Sequence, residues 1–326
     1  MNKITAEKIF KEITAAKRIL LALHVSPDGD SLASVLAMRL VLRRLKKKVS
    51  LISYSAFSPR FTALPGAEEI EIADFAKIDF HRFDLFLSLD TAQETKITRS
   101  SYPQCFPSHF RIINIDHHVT NTRFGQINLV EKKSSTSEIL YQLFHYWQIK
   151  IDKKLAQLLL LGILTDTGCF QYSETTAETL QAAADLMKKG ASLAEIVLLH
   201  YRSYDFKTLK YWGRILDNMQ LDSSGQFVWS KVSQEEMEEL GVTPAEIEGA
   251  SSLFAPITLG TEFGIIMNDE GNQVRVSLRS RADFDVSQIA VSFGGGGHQQ
   301  AASFSLAMPL AEAEKLVLET VRKYIK

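Results

Sequence analysis

The stretch ILLALHVSPDGDSLAS (19–34) joins a short apolar run to a crowd of histidine, aspartate and serine with nothing between them. ILLALHV (19–25) has no polar alternation, the pattern of a strand buried on both faces. SLASVLAMRLVLRRLKKK (31–48) then reads as a helix whose basic end suits the macrodipole, and VSLISY (49–54) as the next strand. DLFLSLD (84–90) and RIINID (111–116) repeat the event, each a short apolar run that ends in an acid. Strand and helix alternate, which predicts an α/β domain on a doubly wound, largely parallel sheet.

In such a sheet the carboxyl ends of the strands share one edge, where open α/β sheets place their ligands. His24, Asp28, Asp30, Asp90, Asp116, His117 and His118 are therefore expected in one crevice. LAQLLLLGILTDTG (155–168) adds a member, because this helix is apolar on nearly every face and ends beside Asp166. A carboxylate is costly to bury there without a cation.

Helices are also expected at 6–17, 153–165, 176–189, 192–199 and 205–217. From 219 onward the pattern changes: QFVWSKV (226–232), EFGIIMN (262–268) and QVRVSLRS (273–280) read as strands, with helices near 233–239 and 309–324. The expected layout is a metal-binding domain over 1–189, a connection over 190–218 and a smaller α+β substrate-binding domain over 219–326.

The bounds agree with a globular enzyme. The chain has 326 residues and 45% hydrophobic content, enough for full cores in about two domains. Its 37 basic and 38 acidic residues leave a net charge of -1, so no basic field exists to hold long duplex nucleic acid. Lys3, Glu7, Lys8, Lys11, Glu12, Lys17 and Arg18 exclude a signal-peptide core at the start, and no apolar run reaches membrane-span length. A cytoplasmic protein with no membrane partner is expected. Cys105 and Cys169 are too few for a disulfide framework and read as reduced thiols. The apolar positions of SSTSEILYQLFHYW (134–147) offer a surface on which a homodimer is expected to form.

Chemistry narrows the cation. Aspartates 28, 30, 90, 116 and 166 with histidines 24, 117 and 118, and no thiolate, form an oxygen-rich set suited to Mn2+ or a similar divalent ion. So many carboxylates repel one another unless two ions share them. Two ions about 3.5–4 Å apart clamp the attacking and leaving oxygens of a displacement at phosphorus, which makes a phosphoesterase the expected enzyme. FGGGGHQQAA (293–302) supplies a second feature: four glycines let successive backbone N–H groups close on an anion, and His298 and Arg279 add charge-assisted bonds.

These residues carry a resemblance. H-x-x-x-D-x-D (24–30), LSLDTA around Asp90, DHH (116–118) and GILTDTGCFQYSET around Asp166 resemble, in order, the four motifs of the DHH-type phosphoesterases. VRVSLRS followed by FGGGGHQQAA resembles the DHH-associated substrate domain, so the likeness spans essentially the whole chain. SSTSEILYQL and TDTGCFQYSETT are most similar to the nanoRNase and pAp-phosphatase branch, which trims very short oligoribonucleotides and removes the 3'-phosphate of pAp. The resemblance implies one metal on His24, Asp28 and Asp90 and another on Asp30, Asp90, His117 and Asp166. It makes Asp116 a partner that orients an imidazole, turns His118 toward the scissile phosphate, and gives Arg279, Gly294, Gly295, Gly296, Gly297 and His298 to the far nucleotide. Ala33 and Ser303 stand where the pattern commonly has glycine, and neither change removes a ligand. No SRKKQ-like run of a family II pyrophosphatase is present, and a RecJ-type exonuclease would need further domains. A phosphodiesterase acting on pApA or cyclic di-AMP uses the same motifs, and a non-catalytic nucleotide sensor would keep the metal site alone.

Overall fold

The computed structural model describes residues 2–243, 249–281 and 283–325, without the side chains of Ser252, Leu253 and His298. Contacts divide the chain into two units, Met1–Ser203 and Tyr204–Lys326.

The first unit begins with α1 (Lys3–Ala15), β1 (Arg18–Ala22), α2 (Gly29–Arg44), β2 (Lys48–Ser53) and β3 (Ile70–Ile72). It continues with β4 (Leu85–Leu89), β5 (Arg111–Asp116), β6 (Ile127–Val130), α3 (Thr136–Tyr146), α4 (Lys153–Asp166), α5 (Ala177–Lys188) and α6 (Leu193–Tyr201). Its six strands run in the order β3-β2-β1-β4-β5-β6, and every pairing is parallel. Every residue of β4 is buried, which is why its sequence shows no alternation. The order reverses between β1 and β4, so the crevice of an open sheet falls at their carboxyl ends.

The two faces of this sheet are covered differently. On one, Leu21, Leu87 and Ile113 pack in a core with Leu36, Leu143 and Leu159 from α2, α3 and α4. On the other, Leu20, Phe86 and Ile112 pack with Phe75, Phe80 and Phe110, carried by short 3-10 turns and loops. Ile139, Leu140, Leu143 and Phe144 of α3 are all buried in the first core, so the apolar face expected to pair subunits is occupied within the unit.

The second unit contains α7 (Phe206–Asp217), β7 (Gln220–Leu221), β8 (Phe227–Val232), α8 (Gln234–Leu240), α9 (Ala250–Phe254), β9 (Phe263–Asp269) and β10 (Val274–Ser280). It ends with α10 (Val286–Ser292), β11 (Gly296–His298), β12 (Ala301–Leu306) and α11 (Leu310–Val321). The sheet order is β11-β12-β10-β9-β8-β7, mixed because only β8 and β9 pair in parallel. Val274, Val276 and Leu278 alternate inward from β10 against α10 and α11, leaving Arg275, Ser277 and Arg279 on the opposite face. This is the smaller α+β domain expected from the C-terminal pattern. The stretch 190–218, expected as a connection, is occupied by α6 in the first unit and α7 in the second.

Among the described residues no helix is long and apolar enough to cross a membrane. Cys105 is exposed, Cys169 is half-buried, and both are free.

Candidate metal centre

Four segments deliver the acids and histidines to the carboxyl edge of the parallel sheet. His24 follows β1, and Asp28 caps α2, its Oδ1 accepting from the Ser31 amide at 2.9 Å. Asp30 sits in the first turn of α2, and Asp166 is the last residue of α4. Asp90 leaves β4 with φ 54°, a left-handed backbone that aspartate tolerates better than most residues and that aims its carboxylate away from the strand line. Asp116 ends β5, with His117 and His118 directly behind it. α3 and α4 approach closely because position 162 is glycine; a Cβ there would strike Ser137 Oγ and Asp30 Oδ1.

The structure brings all eight residues together in three overlapping sets. These are His24, Asp28 and Asp90; Asp30, His117 and Asp166; and Asp90, Asp116, His117 and His118. Within each set one donor atom per residue lies within 4.8 Å of the others. Asp90 faces two ways: its Oδ2 is 3.9 Å from His24 Nε2, whereas its Oδ1 is 3.5 Å from His117 Nε2. His24 Nε2 is in turn 3.7 Å from Asp28 Oδ2, and His117 Nε2 is 3.1 Å from Asp166 Oδ2.

Charge makes this arrangement unstable by itself. Burial pushes the Asp90 carboxyl well above its ordinary range, and the charges of Asp30, Asp28, Asp166 and Asp116 add to it. Asp166 is raised well above its ordinary range by burial and then by Asp30, Asp28, Asp116 and Glu174. Burial moves Asp30 up to about 6 despite hydrogen bonds that favour its charge. Burial pulls His117 down to about 4, so its ring is neutral near pH 7.

The tautomer of His117 follows from its neighbour. Its Nδ1 lies 3.2 Å from the Lys133 carbonyl, which only accepts, so Nδ1 carries the hydrogen and Nε2 presents a lone pair. That lone pair faces Asp166 Oδ2, and both atoms are buried without a hydrogen-bond partner. Two buried acceptors at this separation need a cation beside them or a proton between them. The donor set, imidazole nitrogens and carboxylate oxygens without sulfur, fits a divalent metal ion.

Asp116 and His118 form a different pair. Asp116 is fully buried, its Oδ1 is 2.8 Å from His118 Nδ1, and its Oδ2 accepts from Asn121 Nδ2 at 2.6 Å. Burial works against both charges. The bond with His118 nevertheless holds Asp116 below its usual range, and Asp116 lifts His118 above the usual histidine value. Asp116 thus orients His118, whereas His117 is oriented by the Lys133 carbonyl.

The residues expected to grip substrate lie in the second unit. Arg279 sits on β10 between Gly264 and Ala301, with its Nη1 donating to the Leu278 carbonyl at 2.9 Å. The four glycines divide. The amides of Gly294 and Gly295 donate to the Val291 and Ala290 carbonyls at 2.9 Å each and so close α10, while Gly296 and Gly297 belong to β11. His298 has its backbone in β11, and its side chain lies outside the described structure.

Sequence reasoning overlooked the backing of the site. Asn121, three residues past the DHH triplet, and segment 133–138 both bond to cluster residues. In the sequence, SSTS (134–137) stands out only as hydroxyls before an apolar helix and through the likeness of SSTSEILYQL to a family branch, and Asn121 carries no signal. Gly168, Cys169 and Phe170, directly after Asp166 and Thr167, form an unanticipated turn with φ of 55°, 58° and 68°.

Known proteins resemble this chain along its length. The DHH family, N-terminal domain, matches residues 18–163, and the DHHA1 domain matches residues 225–326. The bifunctional oligoribonuclease and PAP phosphatase NrnA of Thermus thermophilus is 30% identical, with 94% of this chain and 89% of that protein covered. Its Bacillus subtilis counterpart of the same name is 28% identical, covering 97% of this chain and 98% of the relative. The crystal structure of an exopolyphosphatase-related protein from Bacteroides fragilis superposes with a TM-score of 0.90 at 26% identity, covering 99% of this chain and 96% of that one. With both domain types in order and a relative matched nearly end to end, the chain belongs to the DHH family of phosphoesterases that carry a DHHA1 domain.

Proposed function

We propose that this phosphoesterase uses two divalent ions, Mn2+ foremost, to hydrolyse very short single-stranded oligoribonucleotides to mononucleotides and pAp to AMP and phosphate in the cytoplasm. The observation that carries the two-ion reading is Asp90, whose oxygens face separate donor sets. In this reading His24, Asp28 and Asp90 hold one ion, and Asp30, Asp90, His117 and Asp166 hold the other. Bound there, the ions supply Lewis acidity and neutralise charge on a phosphate. The substrate class is supported by the two relatives above, both described as oligoribonuclease and PAP phosphatase.

The chain's own groups perform the rest. With Nδ1–H directed at Asp116, a protonated His118 carries its second proton on Nε2 and can deliver it to the leaving oxygen. The raised pKa of His118 favours that protonated form. Arg279, with Gly296, Gly297 and His298, binds the phosphate of the far nucleotide. Gly296 has open space on its Cβ side, which allows a ligand close to the backbone. Gly294 and Gly295 support this grip indirectly, by ending α10.

The test is Mn2+-dependent hydrolysis of an RNA dinucleotide, a long RNA, pAp and cyclic di-AMP, with Asp90→Asn as control. Fast cleavage of dinucleotide and pAp alone is expected. Preference for cyclic di-AMP would overturn the substrate assignment while keeping the chemistry, and nucleotide binding without any hydrolysis would leave a sensor.

A further inference from the structure

Segment KSSTSE (133–138) lies behind the donor cluster and touches it from three directions. The Lys133 carbonyl fixes His117, as described. The amides of Thr136 and Ser137 donate to the two oxygens of Asp30, at 2.7 Å to Oδ2 and 3.1 Å to Oδ1. The Thr136 hydroxyl donates to Asp90 Oδ1 at 3.0 Å. Thr136 therefore bonds at once to Asp30 and to Asp90, which share none of the three donor sets.

The segment is itself held in place. Ser135 caps α3 by accepting from the Glu138 amide at 3.0 Å. Glu138, buried beneath, accepts at Oε2 from Ser134 Oγ at 2.7 Å and Thr179 Oγ1 at 2.9 Å. Its Oε1 faces Lys133 Nζ at 3.2 Å. Thr136 is fully buried, so its hydroxyl has no exchange with bulk water to compete with Asp90.

A carboxylate that serves two directions must be fixed in rotation about its Cβ–Cγ bond, and a hydroxyl on one oxygen does that. We propose that Thr136 is a positioning residue, whose amide and hydroxyl lock Asp30 and Asp90 in the mutual orientation that lets them hold two cations together. This rests on the two-ion reading. Partners that orient metal ligands typically contribute about 10–100-fold to affinity or activity.

The experiment compares wild type with Thr136→Val, which keeps the shape but loses the hydroxyl, and Thr136→Ser, which keeps the hydroxyl. Mn2+ titration by calorimetry, kcat and KM for pAp, and melting temperature in chelator are measured for each. The expected result is roughly 10–100-fold weaker Mn2+ binding and lower kcat in the valine variant, KM within a few-fold, and serine close to wild type. Wild-type Mn2+ affinity and kcat in the valine variant would overturn the proposal. A serine variant that falls as far as valine would also overturn it, by assigning the effect to packing. Should valine fail to fold, Thr136→Ala decides on the same Mn2+ criterion. Wild-type protein that takes up no Mn2+ would refute the two-ion reading itself, an outcome distinct from equal binding by wild type and variant.

Discussion

The chain contains two six-stranded sheets that place chemistry in different ways. In the parallel sheet every strand ends on the same side, so β1, β4 and β5 deliver His24, Asp90 and Asp116–His118 to one edge. In the mixed sheet every neighbouring pair except β8 and β9 runs antiparallel, so no single edge gathers the strand ends, and the proposed phosphate grip uses a face, with Arg279 set by alternation along β10. An edge is a point of convergence for residues far apart in sequence. A face spreads its side chains over an area, and a single member matters less.

That difference orders the expected effects. Asp90→Asn removes the residue shared by two donor sets, and should abolish Mn2+ retention by elemental analysis and lower kcat by at least about 10³-fold. Partial loss confined to one ion would mean that the two sets are independent. His118→Ala should keep Mn2+ but lower kcat by roughly 10²–10⁴-fold, the usual contribution of a positioned proton donor. Equal Mn2+ loss in both variants would make His118 a ligand.

Arg279→Ala should raise KM for pAp and dinucleotide by about 10–100-fold, on the order of 1.5–3 kcal/mol for bonds to a charged group. A minimal chromogenic phosphodiester should be nearly unaffected, and equal losses on both would remove Arg279 from the far-nucleotide grip. Gly162→Ala is the mildest. Its methyl would press on Ser137 and Asp30, and should lower stability by about 1–3 kcal/mol in chemical denaturation. Unchanged stability would show that α3 and α4 can separate without cost.

The same contrast explains what the sequence made legible. β1, β4 and β5 are short, mostly apolar runs without polar alternation that lead into histidines or acids, and α4 is an apolar helix ending in a carboxylate, so their burial and convergence could be read directly. β3 and β6 were not identified, because three or four residues such as IEI and INLV are too short for a period. The glycine run gave no periodicity either. It divides between a helix end and an edge strand, a distinction set by its partners in α10 and β12. The grip of Thr136 and Ser137 on Asp30 was invisible for another reason: backbone amides make it, and residue types do not encode them. Asn121 reaches Asp116 through a turn whose geometry appears only in the fold.

The central claim is that two cations share Asp90, and an electron paramagnetic resonance titration with Mn2+ tests it most directly. The account predicts two ions per chain in wild type with the signal of a magnetically coupled pair, and loss of that coupling in Asp90→Asn. A single uncoupled ion in wild type, or coupling that survives in the variant, would contradict it.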